Sequence, residues 1–178
     1  MTTTHFTERC PGCGALVPKI DGPVHPYLEA APGCWALYGE VLAREYGGYG
    51  YPAIHHLTVA TYAAQHPGGS SRMAARSLAA HLAGLHLMLD RGYDFAQAAD
   101  VISTLLCAKS LPAELVPPPS PGPITIRDVS VAADLGSHVD LVNRWAESTW
   151  AAWSARHATI HRWADAVLFS RTTGPEQG

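Results

Sequence analysis

The stretch Ala53-Ile-His-His-Leu-Thr-Val-Ala-Thr-Tyr-Ala-Ala-Gln-His66-Pro67-Gly-Gly-Ser-Ser71 decides the fold. Residues 53–66 contain neither Gly nor Pro and read as a helix, which Pro67 stops because it has no N–H to donate and clashes with the preceding turn. Ser70 or Ser71 then caps a third helix reaching to about Asp90, in which Leu78, Leu82, Leu85 and Leu89 recur at i, i+4, i+7 and i+11. A connection as short as Pro67 to Ser71 forces the two helices into an antiparallel hairpin.

Further helices flank this hairpin on both sides. Upstream, Pro32-Gly33-Cys34-Trp35 begins a first helix with apolar positions 34/35, 37/38, 41/42 and 45/46, ended by Gly47-Gly48. The segment Tyr46 to Tyr51 connects it to the second helix and would also serve as an aromatic lid. Downstream, Asp94-x-x-Gln97 is a capping box that opens a fourth helix to about Lys109. Six prolines between Pro112 and Pro123 make a stiff, extended connection. Ile124 to Val131 reads as a short strand or a helical turn, and Ser137 to about Phe169 as one long helix or two in line. Residues 1–31 are rich in Pro, Gly and Cys and show no periodicity. The expectation is an all-α, single-domain helical bundle over residues 1–178. It has a loop-built N-terminal zinc-knuckle module (1–31), four helices (32–111), a Pro-rich connection (112–123) and a long C-terminal helical segment (137–169).

Composition narrows the function. In 178 residues, 47% are apolar and only 15% charged, and ten His stand beside twelve Lys plus Arg. The charged fraction is below the roughly 25% usual for soluble domains, so histidine is the conspicuous functional group. A net charge of −3 with no basic cluster gives no footprint for nucleic acid. The polar start, Met1 to Arg9, lacks a secretory apolar core, and the longest apolar tract, Leu78 to Leu89, is too short to span a bilayer. A soluble, cytoplasmic protein is expected, free to form homo-oligomers. Its cysteines are then metal ligands or buried thiols rather than a disulfide framework.

Cys10-Pro-Gly-Cys13-Gly14 is the most specific short signal. In a zinc knuckle two thiolates come from a tight turn whose glycines let amide N–H groups face the sulfurs. The redox reading of C-x-x-C needs a strand before it and a helix after it, which this sequence does not predict. The nearest further donors are His25 and Cys34, so the expected ligands are Cys10, Cys13, His25 and Cys34 in the pattern Cys-x2-Cys-x11-His-x8-Cys. A closed four-ligand site is structural and does no chemistry itself. Cys107, within Val101-Ile-Ser-Thr-Leu-Leu-Cys107, reads as core.

These residues, with Asp21-Gly-Pro-Val-His25, Pro32-Gly-Cys34-Trp-Ala, Leu57-Thr-Val-Ala-Thr-Tyr-Ala-Ala-Gln-His66-Pro-Gly and Trp153-x3-His157, resemble an uncharacterised bacterial family of domain-of-unknown-function proteins of actinobacterial type. The resemblance covers most of the chain. It implies the Cys pair together with the His25 and Cys34 positions, and it implies no activity.

The remaining histidines divide by height on the helices. On the hairpin, levels that sum to about 138 place His81 beside His56, while His66 sits about 15 Å further along the axis and reads as a C-terminal helix cap. In the last helical segment Trp150, Trp153, His157 and His161 form a stripe at i, i+3, i+7 and i+11. If that face closes the hairpin, His56, His81 and His157 converge as three catalytic ligands for a second metal ion. His157 and His161, at i and i+4, would alternatively ligate as a pair. Tyr62, Gln65, His66 and Trp153 would then contact a small organic molecule. The expected function is a zinc-stabilised helical protein with a His- and Trp-lined pocket, leaning toward a metal-dependent small-molecule enzyme. The alternatives are a non-enzymatic interaction or oligomer-forming protein with a purely structural zinc site, and a metal or haem sensor.

Overall fold

The computed structural model describes residues 6–48, 52–109 and 115–172. It is mostly helical, as expected, with one small sheet. Strand β1 (Thr7–Arg9) pairs antiparallel with β2 (Leu16–Pro18) in the register Thr7↔Pro18, Glu8↔Val17, Arg9↔Leu16. The N-terminal module is therefore a short hairpin rather than loop alone. Three-residue strands fall below what periodicity can register, and only Val17 of the pair is fully buried.

The helices are α1 (Pro32–Gly47), α2 (Pro52–Gln65), α3 (Arg72–Leu85), α4 (Phe95–Cys107), α5 (Ile126–Ser130), α6 (Leu135–Ala152) and α7 (His157–Thr172). Local chemistry accounts for most boundaries. Pro32 occupies the first position of α1, where its missing N–H is no loss. The Ser71 hydroxyl accepts from Ala74 N at 3.1 Å, and Asp94 with Gln97 forms the predicted capping box of α4. Thr125 with Asp128 and Asp134 with Ser137 do the same for α5 and α6. Ile124 to Val131 thus resolves as a helical turn. Residues 49–51 of the Tyr46 to Tyr51 segment, and 112–114 of the Pro-rich connection, lie outside the described residues.

The C-terminal segment is two helices. The chain bends at Trp153 (φ −83°, ψ 5°) and makes a 3₁₀ turn over Ser154–Arg156. The Trp153 indole is buried and donates Nε1–H to Ala64 O at 3.1 Å, at the C-terminal end of α2.

Helix α3 is central and packs against α2, α4, α6 and α7. Leu78, Ala79, Ala80, Leu82, Ala83, Gly84 and Leu85 are all buried, so its lower half has little polar face, as befits a helix surrounded on several sides. At Gly84 a side chain would press on the Ile102 δ-methyl at 3.1 Å, so the glycine sets how closely α4 approaches. Cys107, expected in the core, is exposed at the end of α4. Val101 and Leu105 carry that helix's apolar face instead.

A buried carboxylate ties α1 to α2 and α6. Glu45 accepts from Thr58 Oγ1 at 2.6 Å, His55 Nδ1 at 2.8 Å and His138 Nε2 at 2.9 Å, with its own side chain fully enclosed. Its neighbour Arg44 donates to the carbonyl of Ser130 at 2.8 Å, fastening α5 to the same helix. Removing one partner from a buried charged network costs about 3–5 kcal/mol. Glu45→Ala should lose roughly that much stability in urea denaturation, and Glu45→Gln, which keeps acceptor and shape, distinctly less.

Candidate metal centre

The N-terminal hairpin folds over the start of α1 because Gly33 has no side chain; a Cβ there would collide with the Pro18 carbonyl. Between the strands, Cys10 and Cys13 occupy a tight turn closed by Gly14 N–H to Cys10 O at 2.9 Å and Cys10 N–H to Ala15 O at 2.8 Å. Gly14 takes φ +75°, which L side chains seldom adopt. Cys34 faces the turn from the first turn of α1. Residues 27–29 run along the α2–α3 connection, with Glu29 N–H donating to His66 O at 3.3 Å and a bridge from Leu28 to Pro67.

This stitching delivers His66 to the cysteines. The ligand atoms of Cys10, Cys13, Cys34 and His66 all lie within 4.8 Å of one another, and all four residues are buried. Cys13 Sγ is 3.7 Å from Cys34 Sγ, which in turn is 3.4 Å from His66 Nε2. The surrounding hydrogen bonds suit ligation. His66 donates Nδ1–H to Tyr62 O at 2.7 Å, which selects the tautomer whose Nε2 lone pair faces the sulfurs. Ala31 N–H points at Cys10 Sγ at 3.5 Å, and Tyr62 O–H at Cys34 Sγ at 3.6 Å. Gly12 is equally committed, since a Cβ there would meet the Glu29 carbonyl and lie 2.6 Å from the His66 ring.

Electrostatically the group asks for a cation. Hydrogen bonds from Cys13 and Cys34 drive the Cys10 thiol far below its ordinary range, while hydrogen bonding to Cys10 and Cys13, with burial, drives the Cys34 thiol far above. Burial lowers His66, but its hydrogen bonds with Cys10 and Cys13 outweigh this and carry it up to about 9. Three enclosed sulfurs cannot all ionise alone; a bound divalent ion lets them.

His66, and not His25, is therefore the fourth donor of the group. His25 turns away: its Nδ1 accepts from Tyr27 N–H at 3.2 Å, and its ring lies against Trp35 and Tyr27. The expected helix cap is also present, since His66 Nδ1–H serves the last turn of α2. One imidazole does both jobs through its two nitrogens.

The predicted His56, His81 and His157 do not form a group; among the described residues, neither cluster of three or more donors contains any of them. His56 is stacked face to face on Phe95 at the start of α4. His157 belongs to α7, beyond the bend at Trp153, where it stacks on Trp150 and donates Nε2–H to the Trp150 carbonyl at 2.9 Å. A bend breaks the straight stripe on which convergence depended. His81 instead lines a cavity with His25, Trp35, Tyr38 and Tyr62. Of the residues expected to contact substrate, Tyr62 is on that cavity wall. Gln65 donates to the carbonyls of Pro121 and Ile124 at 2.9 and 2.8 Å, holding the Pro-rich strap, and Trp153 is a core residue. Sequence reasoning missed His66 as a ligand because it lies 32 residues beyond Cys34; its adjacency to Pro67-Gly68, a forced chain reversal, was the available signal.

The fold and this cluster define a helical protein carrying a Cys3His group able to hold a metal ion. Residues 8–154 match the family of unknown function DUF5946, and the chain belongs to that family. No curated protein and no solved structure matches it. No described helix is long and apolar enough to cross a membrane.

Bound metal measured on untagged protein should discriminate the two histidines. Cys13→Ser and His66→Ala are expected to lose the ion and melt at markedly lower temperature, whereas His25→Ala retains one ion per chain. Retention of metal in His66→Ala would overturn the assignment.

Proposed function

We propose that this protein is a zinc-stabilised ligand-binding protein, in which a structural Cys3His zinc site shapes an adjoining aromatic pocket for a small organic molecule. Zinc is supported by the donor chemistry and by the spacing. Tetrahedral zinc with Zn–S near 2.3 Å and Zn–N near 2.0–2.1 Å requires S···S edges of about 3.8 Å and S···N edges of about 3.5 Å. The corresponding separations of 3.7 and 3.4 Å agree. Four protein donors leave no position open, so the ion's work is to hold the hairpin, α1 and α2 together.

The pocket has a volume of about 270 Å³, nearly twice the ~150 Å³ of an apolar cavity that admits benzene. Its walls are mostly aromatic. Tyr38 and Tyr62 stack at 3.9 Å, with Trp35 5.2 Å from the Tyr38 ring and 5.9 Å from that of Tyr62. The polar groups on it are few, and His81 and Ser77 are the notable pair on α3. Such a cavity, apolar with a few convergent polar atoms, suits a single aromatic or heteroaromatic ring system.

The observation that carries the proposal is Tyr62. Its ring is part of the wall, and its hydroxyl is hydrogen-bonded to the Cys34 sulfur. Metal coordination and pocket shape therefore share one side chain. His81 supplies a neutral polar contact, because burial first, and His25 second, depress its pKa from 6.5 to about 4.

Zinc-loaded protein screened against indole, phenol and purine bases should show stabilisation by at least one ring class. Ser77→Phe, which fills the cavity, should abolish that effect while keeping the zinc. Binding that survives Ser77→Phe would refute the pocket, and silence across the ring compounds would refute the ligand class.

His81 also predicts a pH dependence. Unfolded, it takes a proton near pH 6.5, and folded only near 4, so between these values the unfolded state binds more protons. Stability then falls on acidification by up to about 1.4 kcal/mol per pH unit. Urea denaturation at pH 7, 5.5 and 4.5 should show a shallower acid loss in His81→Gln than in the wild type.

A further inference from the structure

A second group of donors lies at the other end of α3. There the helix continues as a π-turn over His86–Asp90, a distortion that recurs at functional sites because it redirects side chains that an α-helix would stack. His161, on the second turn of α7, lays its ring on His86 with centroids 3.9 Å apart. The donor atoms of His86, Asp90 and His161 all fall within 4.8 Å of one another.

The hydrogen bonding there is incomplete. Asp90 Oδ1 accepts from Trp150 Nε1 at 3.0 Å, and Oδ2 from His86 Nδ1 at 2.8 Å. His161 Nε2 stands 3.4 Å from that same Oδ2 but makes no hydrogen bond, and His86 Nε2 makes none either. Both nitrogens are buried, and His86 as a whole is only 3% exposed. With Oδ2 on His86 Nδ1 and Oδ1 on Trp150, the carboxylate as placed leaves both His86 Nε2 and His161 Nε2 without a partner. Unpaired polar atoms of this kind are unfavourable inside a protein and call for a partner.

We propose that His86, Asp90 and His161 form a second metal site, which takes a divalent transition-metal ion through two imidazoles and one carboxylate. This ligand set differs in kind from the thiolate-rich centre. It suits nickel, cobalt, zinc or ferrous iron, and three protein donors leave positions open for water or another ligand. Asp90 also lines a cleft of about 590 Å³ with Leu89, Glu147, Trp150, Ser154 and His157, so the carboxylate side of the group borders solvent. Of its three residues, only His161 figured among the ligands expected from the sequence, there paired with His157.

The test uses the untagged, zinc-loaded full chain titrated with Ni²⁺, with both metals counted after gel filtration. The wild type should hold one zinc and one nickel, with paramagnetic broadening of the His86 and His161 imidazole signals. At Ni²⁺ about one hundred times its dissociation constant, the melting temperature should rise by roughly 5–10 °C. His161→Gln alters a half-exposed side chain and should keep the zinc and the nickel-free melting temperature while lowering nickel affinity at least ~100-fold, beyond the loss of an outer-shell partner. His157→Gln, beside the site but outside the donor group, should leave nickel binding in place. A wild type that takes up no nickel, or nickel retained in both His161→Gln and Asp90→Asn, would overturn the proposal. Failure of the Cys3His reading would appear separately, as missing zinc with the nickel count unchanged.

Discussion

The convergence of Cys10, Cys13, Cys34 and His66 is the constraint on which the rest of the architecture depends. Two strands of three residues bury one side chain between them, far too little to hold their own position. What secures the hairpin is the meeting of its two sulfurs with one from α1 and a nitrogen from the end of α2. That meeting dictates several otherwise arbitrary choices. Gly12 and Gly33 are glycines because backbone or ring atoms approach where a Cβ would be. Residues 27–29 run beside Pro67 because the hairpin must reach the α2–α3 turn.

From this end of the molecule, α3 carries structural information to the other. Its 14 residues, about 21 Å of helix, run from just after the turn that follows His66 to the π-turn that carries His86. The division of donors follows from the packing. Sulfur donors sit where the chain is irregular and glycine-rich, and amide N–H groups can turn toward them. The imidazoles and carboxylate of the second group sit where a helix opens by one residue. Helices α1, α2 and α6 are locked by Glu45, whose carboxylate gathers three donors in an enclosed space.

The aromatic pocket occupies the seam between the metal cluster and α3, and its wall is built by elements that the cluster aligns. Trp35 and Tyr38 lie on the helix that begins beside Cys34, and Tyr62 lies one turn before His66. Trp35, Tyr38 and Tyr62 are thus each within about one turn of a donor.

Much of this was legible in the residues themselves. Pro32, Pro67, Ser71 and the Asp94–Gln97 capping box announced their helix boundaries, because caps and prolines act locally on hydrogen bonds a few residues away. Cys-x-x-Cys with its glycines announced a knuckle for the same reason, and Cys34 followed as a near neighbour. The strands, the bend at Trp153 and the π-turn at His86 were not legible, being too short or too dependent on tertiary packing to leave a periodic trace. Glu45 sat on an apolar stripe with nothing nearby to show that His55, Thr58 and His138 would satisfy it. By itself the sequence determined the helical class, the hairpin and three sulfur donors, all set by contacts over short stretches of chain. Only the tertiary structure decided which histidines act together. An imidazole's height on a helix follows from residue number, but its neighbours depend on where distant helices bend and how they rotate. His66 thereby joins the sulfurs in place of His25, and His86 meets His161 while His56, His81 and His157 go separate ways.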